Sequence, residues 1–157
     1  MNQTAEERFW SKVDKSGDCW LWTGSVKPSG YAQFSVRGRN VYVHRFSYAL
    51  ISGSIPEGQE IDHRHSCPKH CVNPDHLRLT TSKQNKENQA GPYRGSMSGV
   101  RGVTWSERYR KWNAQLSHHG KTVYVGRFLT VEEADAAVVA RRLELFTHND
   151  ADREKAS

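Results

Sequence analysis

The sequence predicts an α+β protein of two small modules: a strand–loop–strand–helix (ββα-metal) module stapled by a metal ion, then a three-stranded antiparallel sheet with one helix. Three observations predict this. Residues 61–85, IDHRHSCPKHCVNPDHLRLTTSKQN, hold two of the three cysteines and four of the eight histidines. Residues 91–98 carry Gly91-Pro92, Gly95 and two serines with no hydrophobic period, which reads as a linker. Beyond them, three short alternating runs precede one helical run. The expected division is a first domain over 1–90, a linker over 91–98, a second domain over 99–147 and a disordered tail over 148–157.

Bulk properties bound the rest. The chain has 157 residues and only 36% of them are hydrophobic, so two domains of this size each need help beyond a small core. A net charge of +6 suits a nucleic-acid partner but also suits an ordinary basic protein. There is no export-signal pattern and no long apolar run. Clustered thiols fit metal better than disulfides, so a soluble protein of the reducing cytoplasm is expected.

Along the first module, residues 1–13 read as an amphipathic helix. Thr4 and Glu7 have capping-box spacing, and Phe9, Trp10 and Val13 face the core. Residues 19–46 read as three antiparallel strands, CWLWTG, YAQFSV and VYVHRF, with Pro28-Ser29-Gly30 and residues 37–40 as turns. Trp20, Trp22, Tyr31 and Phe34 belong to the core. HRFSYALISG has Phe46, Ala49 and Leu50 at helical spacing, and Gly53 and Pro56 close it. His44 is read as part of that packed helix.

The central stretch carries the chemistry. Cys67, Cys71 and His76 form a Cys-x3-Cys-x4-His cluster in a hydrophilic loop, where nothing apolar would bury free thiols. Thiolates with an imidazole at this spacing suit tetrahedral zinc. Asn73-Pro74 supplies a turn that can swing His76 back toward the thiolates. Cys19, the remaining thiol, is the expected fourth ligand, with His65 and His70 as alternatives. Asp62-His63 ends one short strand, and Leu77-Arg78-Leu79 forms a second. Residues 80–82 then offer an N-cap for a helix over 83–88, with Asn85 in its first turn.

Together, DHxHSCPKHCVNPDHL and Asn85, nine positions after His76, resemble the ββα-metal (HNH) nucleases, in particular the zinc-bearing variants akin to the His-Cys box homing endonucleases. The resemblance spans roughly residues 7–90. It implies that His63 is the general base that activates water. It implies that Asp62 and Asn85 bind a catalytic Mg²⁺ or Mn²⁺, and that Cys19, Cys67, Cys71 and His76 bind structural zinc. It also implies that an arginine of the first hairpin, best matched by Arg39, reaches the cut phosphate. The middle position of the HNH motif, usually Asn, is His76 here. The His-Cys box branch would place the base at His65, whereas the Asp-His pairing of the wider family places it at His63.

In the second module, Trp112, Ala114 and Leu116 share one sheet face, while Lys111, Asn113 and Gln115 share the other. Val123 and Val125 likewise oppose Thr122 and Tyr124. Thr130 and Glu133 form a capping box for a helix running to Leu145, whose stripe is Val131, Ala134, Val138, Arg141 and Leu145. Residues 92–128 hold seven basic side chains, Lys111 and Lys121 among them, against the single acid Glu107. One sheet face is therefore free and basic, suited to double-stranded DNA. GVRGVTW, KWNAQL, VYVGRF and TVEEADAAVVA resemble the AP2 DNA-binding domain. By that resemblance Arg101, Thr104, Ser106, Arg108, Arg110, Gln115, Ser117, Thr122 and Tyr124 face DNA. The combined expectation is a homing-type endonuclease that cuts with one module and positions with the other. The alternative is a catalytically silent DNA-binding regulator.

Overall fold

The computed structural model describes residues 3–64, 66–89 and 91–157. It divides into two units, Met1–Ser82 and Lys83–Ser157. The division therefore falls at the start of a helix, N-terminal to the expected linker.

The first unit opens with α1 (Ala5–Trp10), where Thr4 and Glu7 form the expected capping box. Two short strands follow, β1 (Val13–Asp14) and β2 (Leu21–Trp22), paired with each other. A hairpin joins β3 (Gln33–Val36) to β4 (Arg39–Tyr42). Its turn is tight because Arg37 and Gly38 both take positive φ, 49° and 78°. The antiparallel strands expected over 19–46 thus lie in two separate ribbons. The reason is visible at β2: Trp22 N–H donates to the His70 carbonyl at 3.1 Å, and Val72 N–H donates to the Trp20 carbonyl at 2.8 Å. The edge that would have met β3 is taken by the cysteine loop.

Helix α2 (Val43–Ser52) begins where a third strand was expected to continue. Val43 N–H bonds back to the Ala32 carbonyl at 3.2 Å, which anchors that helix start to the hairpin. β5 (Gln59–His63) and β6 (Leu77–Thr81) pair antiparallel, with His63 opposite Leu77 and Asp62 opposite Arg78. The core is aromatic: Phe9 is fully buried, and its ring lies 4.9 to 5.5 Å from those of Trp10, Trp22, Phe34 and Phe46. Truncating such a side chain typically costs about 3–5 kcal/mol.

The second unit holds α3 (Ser82–Glu87) from its second residue on, then a sheet of β7 (Val103–Ser106), β8 (Lys111–His118) and β9 (Lys121–Phe128). Helices α4 (Val131–Leu145) and α5 (Asp150–Ala156) complete it. Val103, Ala114, Leu116, Ala134, Val138 and Phe146 form the core between sheet and α4. Alternation along β8 and β9 places Gln115, Ser117, Thr122 and Tyr124 on the exposed face, as expected.

Two expectations are corrected here. The buried arginine of α4 is Arg142, while Arg141 is exposed and pairs with Glu144. The tail expected to be disordered is α5, because Asp152 gives Arg142 a buried two-pronged partner at 2.6 and 2.8 Å. Among the described residues no helix is long and apolar enough to cross a membrane.

Candidate active site and metal centre

Three chain segments build the cysteine cluster. The backbone bonds between residues 20–22 and 70–72 bring Cys19 to the loop. Asn73 ties the same two segments with its side chain: Nδ2 donates to the Asp18 carbonyl at 2.8 Å, and Oδ1 accepts from Asp75 N–H at 3.1 Å. The 3-10 turn Pro74–His76 then folds His76 inward. The ligand atoms of Cys19, Cys67, Cys71 and His76 all lie within 4.8 Å of one another. Cys19 and Cys67 sulfurs are 3.7 Å apart, and His76 Nδ1 lies 3.6, 3.3 and 3.7 Å from the sulfurs of Cys19, Cys67 and Cys71. A tetrahedron with Zn–S of about 2.3 Å and Zn–N of about 2.0 Å has edges of about 3.5–3.8 Å. The Cys3His group is consistent with zinc in donor type and in size.

Two further features fit a cation. His76 Nε2 faces the Asp18 carboxylate at 3.3 Å, the arrangement that orients a metal-bound imidazole. Burial first, then the neighbouring Cys19, pushes Cys67 up to about 12, and burial likewise raises Cys71. A bound cation would offset that cost and favour their thiolates. His70, weighed as a fourth ligand, is absent from the described group, where Cys19 stands instead. His65 lies outside the described residues, both as alternative ligand and as alternative base.

Against this centre lies His63. It ends β5 with its side chain inward, 8% exposed, while Asp62 faces the other way. His63 Nε2 lies 3.0 Å from the Cys71 carbonyl oxygen. A carbonyl only accepts, so Nε2 carries the proton and the basic lone pair sits on Nδ1. Burial keeps the ring neutral by lowering its pKa, against the opposing pull of that carbonyl and of Asp62. Asp62 itself is ion-paired with Arg78 at 3.2 Å.

The other face of His63 packs on a residue that sequence reasoning assigned only to a helix. His44, the second residue of α2, is 5% exposed, and its ring centroid lies 4.9 Å from that of His63. Tyr31 touches both imidazoles, at 5.6 and 6.4 Å. Burial lowers His44 to about 3, helped by the neighbouring His63. Its Nδ1 is buried without a hydrogen-bond partner among the described residues. Nothing in the spacing of VHR singles out this histidine; only the packing of α2 on β5 does.

A neutral imidazole at a strand end, buried beside a Cys3His group, is the arrangement that the matches with known proteins also fall on. Residues 41–87 match the HNH endonuclease family. That stretch is similar to the HNH endonucleases. It contains His63, Asp62, three of the four cluster ligands and Asn85.

The chain is also 40% identical over 70 residues to protein 7.7 of Escherichia phage T7, covering 45% of this chain and 53% of that protein. It is 39% identical over 77 residues to protein 2.8 of the same phage, covering 47% and 50%. The chain thus spans about half the length of these curated relatives. No solved structure matches it significantly.

Within the HNH region, Asn85 sits on α3, immediately after β6, as the resemblance requires in chain order. Arg39 opens β4 and is exposed rather than standing at the tip of the turn.

In the second unit, Thr104, Arg108, Arg110, Lys111, Gln115, Ser117, Lys121, Thr122 and Tyr124 are exposed, and Ser106 is half-buried. Arg101 departs from the expectation. Its guanidinium donates to the carbonyls of Lys86 and Glu87, both at 2.8 Å, and to that of Gln89. These carbonyls lie at the end of α3 and just past it, and that of Lys86 also accepts from Gln89 N–H at 3.4 Å, so Arg101 caps that helix end and is not carried forward as a DNA contact. Glu87 strengthens the same anchor: its buried carboxylate accepts from Thr147 N–H and Oγ1, both at 3.1 Å, and pairs with Lys83 at 2.6 Å.

Proposed function

We propose that the protein is a metal-dependent DNA endonuclease of the homing type, whose second unit positions it on double-stranded DNA. The observation that carries the reading is His63: a neutral imidazole within the HNH region, its tautomer set by the Cys71 carbonyl. His63 takes a proton from a water molecule on Nδ1. The water oxygen attacks phosphorus, the P–O3′ bond breaks with its electron pair passing to O3′, and O3′ takes a proton from solvent, leaving a 5′-phosphate and a 3′-hydroxyl. Asp62 and Asn85 would hold Mg²⁺ or Mn²⁺, since a carboxylate and an amide oxygen suit a hard cation. When bound, such an ion would supply stabilisation of the negative charge that develops in the reaction. Cys19, Cys67, Cys71 and His76 would hold zinc. Arg39 is proposed to reach the cut phosphate from the hairpin.

The exposed sheet face supplies the second half of the proposal. Basic side chains at Arg108, Arg110, Lys111 and Lys121 give salt-dependent affinity. Thr104, Ser106, Gln115, Ser117, Thr122 and Tyr124 face the grooves, in the manner of an AP2 domain. The test is cleavage of supercoiled plasmid in Mg²⁺. The wild-type protein is expected to cut, and His63→Ala to lose at least ~10²-fold in rate while still binding duplex. A wild-type protein that binds but never cuts would make it the silent regulator. A His63→Ala variant that cuts normally would remove His63 as base.

A further inference from the structure

Arg127 lies on the exposed face of the second unit's sheet, on β9 directly opposite Asn113 of β8, which in turn faces Thr104 of β7. Its guanidinium carbon sits 3.6 Å above the centre of the Tyr109 ring and 5.6 Å from that of Tyr124. Its Nε donates to Asn113 Oδ1 at 3.2 Å. Stacking fixes the plane of the group, and the Nε bond fixes its rotation within that plane. The terminal nitrogens Nη1 and Nη2 have no partner among the described residues. The side chain is therefore a rigid fork whose two donors point away from its anchors. Most surface arginines lose rotamer freedom on binding; this one has lost it in advance.

A fixed pair of parallel N–H donors matches the O6 and N7 acceptors of guanine in the major groove. A phosphate can take the same fork, but such a contact carries no base preference. The surroundings suit a duplex: residues 92–128 are strongly basic, and the row of Thr104, Asn113 and Arg127 is bordered by Gln115 and Tyr124. We propose that Arg127 reads guanine from the major groove, with Tyr109 and Asn113 as the residues that hold its fork. This rests on the reading of the same face as a DNA surface.

The experiment uses the full chain carrying His63→Ala, so that DNA is bound and not cut. Base preferences are measured by selection from a randomised duplex library. Arg127→Ala and Arg127→Lys are each expected to lose a guanine preference at one position by about 10-fold or more, with other positions unchanged. Replacing that guanine with 7-deazaguanine should do the same to the parent. Tyr109→Ala should give a smaller loss at the same position. A uniform loss of affinity with the preference intact makes Arg127 a phosphate contact and overturns the proposal. Full retention of the preference in Arg127→Lys overturns it too. A Gln115→Ala/Tyr124→Ala variant separates the two levels. If it binds as the parent does, the DNA-surface reading fails and the proposal with it. If it binds weakly while Arg127→Ala is unchanged, only the Arg127 assignment fails.

Discussion

Cys71 serves two groups at once: its sulfur lies 3.7 Å from His76 Nδ1, and its carbonyl oxygen accepts a hydrogen bond from His63 Nε2 at 3.0 Å. The cluster and the imidazole are therefore joined through one residue. Whatever fixes the Cys71 backbone also fixes the tautomer and aim of His63.

The first prediction concerns metal removal. If the Cys3His group holds the proposed zinc, stripping it with a strong chelator is expected to lower the melting temperature and abolish cleavage. Adding Mg²⁺ alone should not restore cutting, while Zn²⁺ followed by Mg²⁺ should. Cys67→Ser should behave like the stripped protein, because structural zinc contributes about 10–16 kcal/mol of apparent binding energy in small zinc domains. Metal content by mass spectrometry and melting by circular dichroism check both. Full activity of the stripped protein in Mg²⁺ alone would contradict the coupling.

Acid should act through His44. Burial lowers its pKa from 6.5 to about 3, so the unfolded chain takes up a proton that the folded chain refuses. The stability is complete above about pH 6.5 and declines as the pH falls toward the folded value, by up to about 5 kcal/mol at that limit. His44→Phe keeps the ring contact and removes both the titration and the unpartnered Nδ1. Its melting temperature should equal or exceed that of the wild type at pH 5, with a shallower fall between pH 7 and 5. A parallel fall in both proteins would count against His44.

Gly102 has φ of +84°, and a Cβ there would run into the Gln115 carbonyl oxygen and meet Val138 Cγ2 at 3.2 Å. Gly102→Ala is expected to cost more than about 2 kcal/mol, from left-handed strain together with the clash. Urea unfolding monitored by tryptophan fluorescence measures it; a loss below ~0.5 kcal/mol would refute the close approach.

The Arg142–Asp152 pair is nearly enclosed, and Arg142 Nη1 also donates to the Arg101 carbonyl at 2.8 Å. Asp152→Asn leaves a buried guanidinium uncompensated, so a loss of roughly 3–5 kcal/mol is expected. Arg142→Met with Asp152→Leu should recover much of it, which a double-mutant cycle would reveal.

Arg101→Ala tests the cap at the end of α3. It should lower stability by roughly 1–3 kcal/mol by leaving helix carbonyls unpaired. The salt dependence of DNA affinity should keep its slope, whereas a phosphate contact would reduce that slope by about one. A changed slope at unchanged stability would restore Arg101 to the DNA face.

Much is legible in the sequence. The grouping of Cys67, Cys71 and His76 is expected from residue type and spacing, with Cys19 ahead of His65 and His70 as the fourth member, and the described cluster is Cys19, Cys67, Cys71 and His76. The capping boxes at Thr4 and Thr130 and the alternation of β8 and β9 are local, so local pattern reveals them. What sequence missed depended on which surfaces meet. The helix expected from His44 begins at Val43 and cuts short the third strand expected over VYVHRF, because tertiary packing outweighs the strand propensity of its valines and tyrosine. Arg101 and Arg142 look like surface cations, but each is claimed by acceptors from a distant segment.

By itself, then, the amino-acid order determined which side chains could bind metal or take a proton, since that chemistry belongs to the residues. Only the tertiary structure decided which of them are engaged with what. His44 lies against His63 because α2 packs on β5, Arg101 is withdrawn from the sheet face to cap α3, and Arg127 is stacked where no spacing would have placed it. Those outcomes depend on contacts between residues far apart in the chain, and no local period or motif encodes such contacts.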